Sequence, residues 1–269
     1  MTDNPLAPTE RFTRALVRRP ARSLIRGLTE ADLGIPDYAL ACQQFEAYVR
    51  ALRALDVVVT EVAADEACPD CVFIEDTALV TPGVAILTRP GAPSRRAEVP
   101  AVREALSQQM PVREISSPGM LDAGDVMNVD GFHYIGLSSR TNSDGARQLI
   151  AALRDVGLDG QTVAMPESLH FKTGVNYLDA GRLLVATEFL TFLRANDTGF
   201  PLDRFEVLEV SQREAYAANS LWINGTVLVP AGFPETAAMI EQFGYPVVTL
   251  ATDEFRKLDG GLSCLSLRY

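Results

Sequence analysis

Four times along the chain a hairpin is followed by a helix and a single strand, and few folds accommodate such a recurrence. The first hairpin runs from Val72 to Thr88 and turns at Pro82-Gly83. The second runs from Asp125 to Leu137 and turns at Asp130-Gly131. The third spans Val175–Thr187, and the fourth spans Ser220–Pro230 with the strong turn signal Asn224-Gly225. Helices are expected at 97–109, 142–154, 188–195 and from Pro234 onward, with Asn142 as a cap. Strands follow at 112–115, 161–165, 205–209 and 246–250. The copies recur roughly every 50 residues, in the range of repeat architectures.

Joining the chain ends completes a fifth copy. Leu262–Tyr269 would pair with Thr13–Arg18, and a helix at 36–54 and a strand at Val57–Thr60 would finish the unit. The expectation is therefore an α/β chain whose five units close into a ring, which removes exposed sheet edges. The same elements also allow an α+β sandwich without symmetry. No linker divides the chain, so 1–269 reads as one domain. The Arg-, Pro- and Gly-rich Arg89–Arg96 is a loop, and Arg22–Pro36 is a long segment able to cover a site as a lid.

Charge narrows the partners. The net charge of −11 argues against nucleic acid and anionic lipid and is compatible with a small cationic substrate. Met1-Thr-Asp-Asn-Pro lacks a signal pattern, and no apolar run reaches membrane-spanning length. Cys42, Cys68, Cys71 and Cys264 do not form a disulfide framework, so the expected location is the reducing cytoplasm.

Few residues can carry chemistry. Cys264, on a glycine-led apolar chain end, is either core filler or a nucleophile on a strand tied into the fold. His133 lies mid-strand and reads as a packed or surface residue. His170 stands at the junction before the third hairpin, where function tends to reside. Cys68-Pro-Asp-Cys71 suggests zinc or redox chemistry, but no second pair completes four ligands and a strand, not a helix, follows. No metal and no cofactor are expected. Glu75-Asp76 interrupts an apolar strand, either with one carboxylate in solvent or as a receptor for a planar guanidinium. Leu121-Asp-Ala-Gly-Asp125 is a plain turn or supplies a carboxylate to orient a histidine.

Taken together, Phe73-Ile-Glu-Asp-Thr-Ala78, Leu121-Asp-Ala-Gly-Asp-Val126, Gly136-Leu-Ser-Ser-Arg-Thr-Asn142, Leu169-His-Phe-Lys172 and Asp259-Gly-Gly-Leu-Ser-Cys264 resemble, in this order, the motifs of dimethylarginine dimethylaminohydrolases of the guanidino-modifying (pentein) superfamily. The resemblance runs from about Thr13 to Tyr269. It implies a five-bladed α/β propeller of ββαβ units. Within it Cys264 matches the nucleophile, His170 the acid/base and Asp122 the carboxylate that orients His170. Asp76, with Glu75 beside it, matches the guanidinium receptor. Arg95 and Arg140 match arginines near the substrate carboxylate. Leu28 and Asp70 match amino-acid-end contacts, and Leu258 matches a residue whose carbonyl faces the substrate.

The implied reaction is hydrolysis of Nω-methylated L-arginine to L-citrulline and a methylamine through a covalent Cys-thiouronium intermediate, with a homodimer possible. Deimination of free arginine or another guanidino compound is the nearest alternative. A non-catalytic binder and a metal-dependent amidinohydrolase are more distant. The latter needs several histidines and aspartates around its metals, and the chain has two histidines.

Overall fold

The computed structural model describes residues 11–269. Strand β1 (Arg14–Arg18), helix α1 (Tyr38–Ala54) and β2 (Val58–Val62) come first. A complete unit follows from β3 (Ala78–Thr81), β4 (Val84–Leu87), α2 (Val99–Ser107) and β5 (Val112–Glu114). The next holds β6 (Val126–Val129), β7 (Phe132–Leu137), α3 (Ser143–Arg154) and β8 (Asp159–Ala164). Then come β9 (Val175–Tyr177), β10 (Arg182–Ala186), α4 (Thr187–Ala195) and β11 (Glu206–Val210). The last full unit is β12 (Leu221–Ile223), β13 (Thr226–Pro230), α5 (Pro234–Gln242) and β14 (Val247–Leu250). A short helix α6 (Asp253–Arg256) and β15 (Leu267–Arg268) end the chain.

The strands form five three-stranded sheets, each with one antiparallel pair and one parallel pair. In four sheets a tight hairpin makes the antiparallel pair and a helical crossover delivers the third strand in parallel, as that connection requires. The fifth sheet draws on both ends of the chain: β15 pairs with β1, with Ala15 opposite Arg268 and Leu16 opposite Leu267. The N–H groups of Thr13 and Arg14 both donate to the carbonyl of Tyr269. The ring is closed, and the chain is a five-bladed α/β propeller.

Local chemistry accounts for the hairpins. Asp130-Gly131 and Asn224-Gly225 both take positive φ at two consecutive residues, the geometry that two-residue hairpin turns demand. Asn142 caps α3, its side chain accepting from Gly145 N at 2.8 Å. Buried apolar residues fill the spaces between blades; Leu149 and Leu153 of α3, for example, pack with Ile86 of β4 and Ile135 of β7.

Two expectations change. Val72–Thr77 does not extend the first hairpin; Ile74–Thr77 is a 3-10 turn. Its backbone bonds locally, and its buried carboxylates reach partners far along the chain, which a flat strand would not permit. Cys264 likewise lies on a 3-10 turn, Ser263–Leu265, rather than on the terminal strand. This turn packs against Ile74–Thr77 near the ring centre. His133 is buried on β7, its Nδ1 3.3 Å from the carbonyl of Asp159. Cys68 and Cys71 are buried beside Ala21. Among the described residues no helix is long and apolar enough to cross a membrane.

Candidate active site

Three adjoining cavities occupy the centre of the ring. The widest, about 590 Å³, is lined by the first strand of each hairpin (β3, β6, β9 and β12) and by β15. A small one of about 30 Å³ shares Glu75, Lys172 and Ser263 with it. A third, of about 170 Å³, opens beneath the segment 28–30 and shares His170, Asp259 and Cys264 with the small one. The thiol of Cys264 and the imidazole of His170 therefore face the same two spaces.

His170 is held by carboxylates from two other blades. Its Nε2 lies 3.0 Å from Asp122 Oδ2 and 3.7 Å from Asp76 Oδ1. Asp122 is fully buried, and its Oδ1 accepts from Gly91 N at 2.9 Å. Asp76 accepts from Gly124 N at 3.0 Å and pairs with the Arg95 guanidinium. Gly124 is confined: a Cβ there would stand 2.7 Å from both Asp76 Oδ1 and His170 Nδ1. Asp76, Asp122 and His170 are the one group among the described residues whose donor atoms cluster closely enough to hold a metal. Those atoms already have hydrogen-bond or ionic partners within the protein.

Charge sets the proton positions. Burial opposes protonation of His170, but the charge of Asp76, the hydrogen bond to Asp122 and the charge of Asp125 outweigh it and raise the pKa to about 9. His170 is thus an imidazolium at neutral pH. Burial, then the charges of Glu75 and Asp76, push the Cys264 thiol up to about 12, so it holds its proton at neutral pH. Burial also pushes Asp76 up, yet His170 and Arg95 hold it below the ordinary carboxylate value.

Residues 37–189 match the family model described as N,N dimethylarginine dimethylhydrolase, eukaryotic. The N(G),N(G)-dimethylarginine dimethylaminohydrolase of Pseudomonas aeruginosa is 46% identical over 260 residues, covering 96% of this chain and 100% of the relative. A cysteine-to-serine variant of the Pseudomonas aeruginosa enzyme, solved in complex with citrulline, superposes with a TM-score of 0.92 at 45% identity, covering 97% of this chain and 100% of the other. A histidine-to-glycine dimethylarginine dimethylaminohydrolase, solved as its adduct with S-methyl-L-thiocitrulline, gives 0.91 at 45% identity over 96% and 100% of the two chains. The chain belongs to the dimethylarginine dimethylaminohydrolase family.

The family motifs converge unevenly. Leu28, Asp70, Asp76, Arg95, Arg140 and Leu258 line the 170 Å³ cavity with His170 and Cys264. Asp70 Oδ1 accepts from Leu28 N at 2.9 Å, fixing the segment 28–30 at the cavity rim. Arg140 Nη1 stands 3.9 Å from Asp122 Oδ2. Arg95 is buried and engaged: it bonds both Glu98 oxygens, Asp76 and the carbonyls of Asp70 and Phe73. Glu75 lines the small cavity instead. It accepts from Lys172 Nζ at 2.7 Å, Arg268 Nη2 at 2.8 Å and Ser263 Oγ at 2.8 Å. Sequence reasoning gave no role to Glu98, Arg268 or Asp125. Asp125 stood inside a quoted motif; Glu98 and Arg268 carry no local signal, because their partners are set by the fold.

Proposed function

We propose that the chain hydrolyses Nω-methylated L-arginine to L-citrulline and a methylamine, with Cys264 as nucleophile, His170 as acid and then base, and Asp122 orienting His170. The observation that carries this reading is that a thiol and a carboxylate-held imidazolium line the same two cavities, in a chain of this family. Asp76 receives the guanidinium in the larger cavity, and Glu75 faces its far end from the small one. Leu28, Asp70, Arg140 and Leu258 address the amino-acid end, with Arg95 beside them.

The chemistry follows from the charges. Entry of the guanidinium brings a positive charge to a site whose carboxylates suppress the thiolate, so the thiol proton leaves to solvent. The thiolate adds to the central guanidinium carbon. His170 gives its proton to the alkylated nitrogen, the C–N bond breaks and the amine departs, leaving the thiouronium on Cys264. Now neutral, His170 takes a proton from water, and the hydroxide adds to the same carbon. The hydroxyl of this adduct loses its proton to solvent as the C–S bond breaks, releasing citrulline and restoring the thiolate, which takes back a proton from solvent. Acid/base help of this kind contributes about 10²–10⁴ in rate.

The test is a substrate panel of arginine, monomethylarginine and dimethylarginine read by citrulline formation. Methylated arginines should turn over fastest. Cys264→Ser should lose at least about 10⁴ in kcat with its melting temperature retained. Full activity in that variant would remove the covalent route. Free arginine as the best substrate would replace the reading by a deiminase.

A further inference from the structure

We propose that Asp125 is a positioning residue that locks three separate parts of the site together: the His170 turn, the Arg140 loop and Asp122. The proposal rests on the reading above. Asp125 is fully buried. Its Oδ1 accepts from the N–H of Phe171, the residue next to His170, at 2.9 Å. Its Oδ2 accepts from Ser138 Oγ at 2.6 Å. Ser138 Oγ in turn accepts from the N–H groups of Arg140 at 3.0 Å and Thr141 at 3.1 Å. The Thr141 hydroxyl oxygen accepts from Asp122 N at 3.1 Å.

Donor counting fixes the direction of every bond. The Ser138 oxygen takes two backbone N–H groups, so its own hydrogen must point at Asp125. The N–H of Phe171 can only donate. Asp125 therefore receives donors on both oxygens, an arrangement that a carboxylate's two acceptors match. An asparagine of the same shape would turn an NH₂ group onto a donor, releasing either the His170 turn or the Arg140 loop.

The turn Ala123–Asp125 follows Asp122 and packs against Ile74–Thr77, which carries Glu75 and Asp76, and against Phe171–Thr173, which carries Lys172 and follows His170. Burial pushes Asp125 up to about 6, with His170 the chief opposing charge. Asp125 itself raises the pKa of His170.

Two variants divide the network. Asp125→Asn should lower kcat about 10²-fold, the cost expected when catalytic groups shift by about an ångström, and should also raise KM. Ser138→Ala removes the tie between Asp125 and the Arg140–Thr141 loop but leaves the bond to Phe171 N beside His170, so it should raise KM about tenfold with kcat within about threefold of wild type. Imidazole titration by NMR, simple with two histidines, should show the His170 midpoint falling in Asp125→Asn.

Wild-type kcat and KM in Asp125→Asn would overturn the proposal, as would Ser138→Ala losing kcat as severely as Asp125→Asn. If Asp125→Asn does not fold, Ser138→Ala decides: a rise in KM alone supports the network and an unchanged KM overturns it. If wild type turns over no methylarginine, the His170 titration decides. A lower midpoint in Asp125→Asn keeps the positioning role while the substrate reading falls, and an unchanged midpoint removes the role.

Discussion

Glu75 and Asp76 are neighbours on one turn, yet they serve opposite ends of the ring's central passage. Glu75 faces the small cavity and the wide channel, where Lys172, Arg268 and Ser263 all donate to it. Asp76 faces the 170 Å³ cavity at the other end, where Arg95, Gly124 and His170 surround it. Both are buried, and cationic partners hold both below the ordinary carboxylate value. The difference lies in what the partners can do. Lys172 and Arg268 pair with Glu75 to form an ionic floor. His170 can give up its proton, so Asp76 belongs to a set whose charge changes during a reaction.

The sharpest way to break this contrast is to neutralise each carboxylate in turn. Asp76→Asn should cost at least about 10³ in kcat/KM, because Asp76 is the strongest influence raising the His170 pKa and the receptor proposed for the guanidinium. Glu75→Gln leaves two partly buried cations without their counter-ion. It should destabilise the fold by about 3–5 kcal/mol and reduce kcat less than Asp76→Asn does. Citrulline formation and urea unfolding on the two variants make the check. Equal loss of activity in both, with stability intact, would erase the distinction.

Acid–base linkage offers a second, smaller test. His170 has a folded pKa of about 9, raised from the ordinary imidazole value of about 6.5. A raised imidazole pKa stabilises the fold fully below its unfolded value, and the stabilisation is lost as pH climbs through the folded value. Wild type should therefore lose up to about 3 kcal/mol between pH 6.5 and 9 relative to His170→Asn. Urea titrations of both proteins at several pH values read the difference directly. Parallel curves would mean that His170 is not held as an imidazolium.

The sequence makes the ring legible through its turns. Asp130-Gly131 and Asn224-Gly225 need positive φ, Asn142 and Pro234 open helices, and the apolar tail from Leu262 finds its partner at the chain start. Each of these signals is local, or becomes so once the repeat is seen. The turn at 74–77 escaped for the opposite reason. It has no glycine or proline, and its apolar flanks read as strand; only the distant partners of Glu75 and Asp76 explain it. The site divides along the same line. The motifs bring Cys264, His170, Asp122 and Asp76 to attention, while Glu98 behind Arg95 is visible only when two buried charges meet in space. Sequence also placed Glu75 and Asp76 side by side in one role, since adjacency along a chain says nothing about which cavity a side chain enters.

The smallest effect should come from a turn that lines none of the three cavities. Asn224 sits at φ +50, where asparagine is tolerated better than most side chains. Its amide accepts from Phe12 N and donates to the carbonyls of Phe12 and Leu55, each at 2.9 Å, stitching the fourth complete blade to the one built from the chain ends. Asn224→Ala removes three bonds and adds left-handed strain, and should cost about 2 kcal/mol. Because Asn224 lines neither of the cavities that hold Cys264 and His170, kcat and KM measured below the new melting temperature should match wild type. A drop in kcat without unfolding would mean that closure of the ring reaches the catalytic end, and the two ends would no longer be separable.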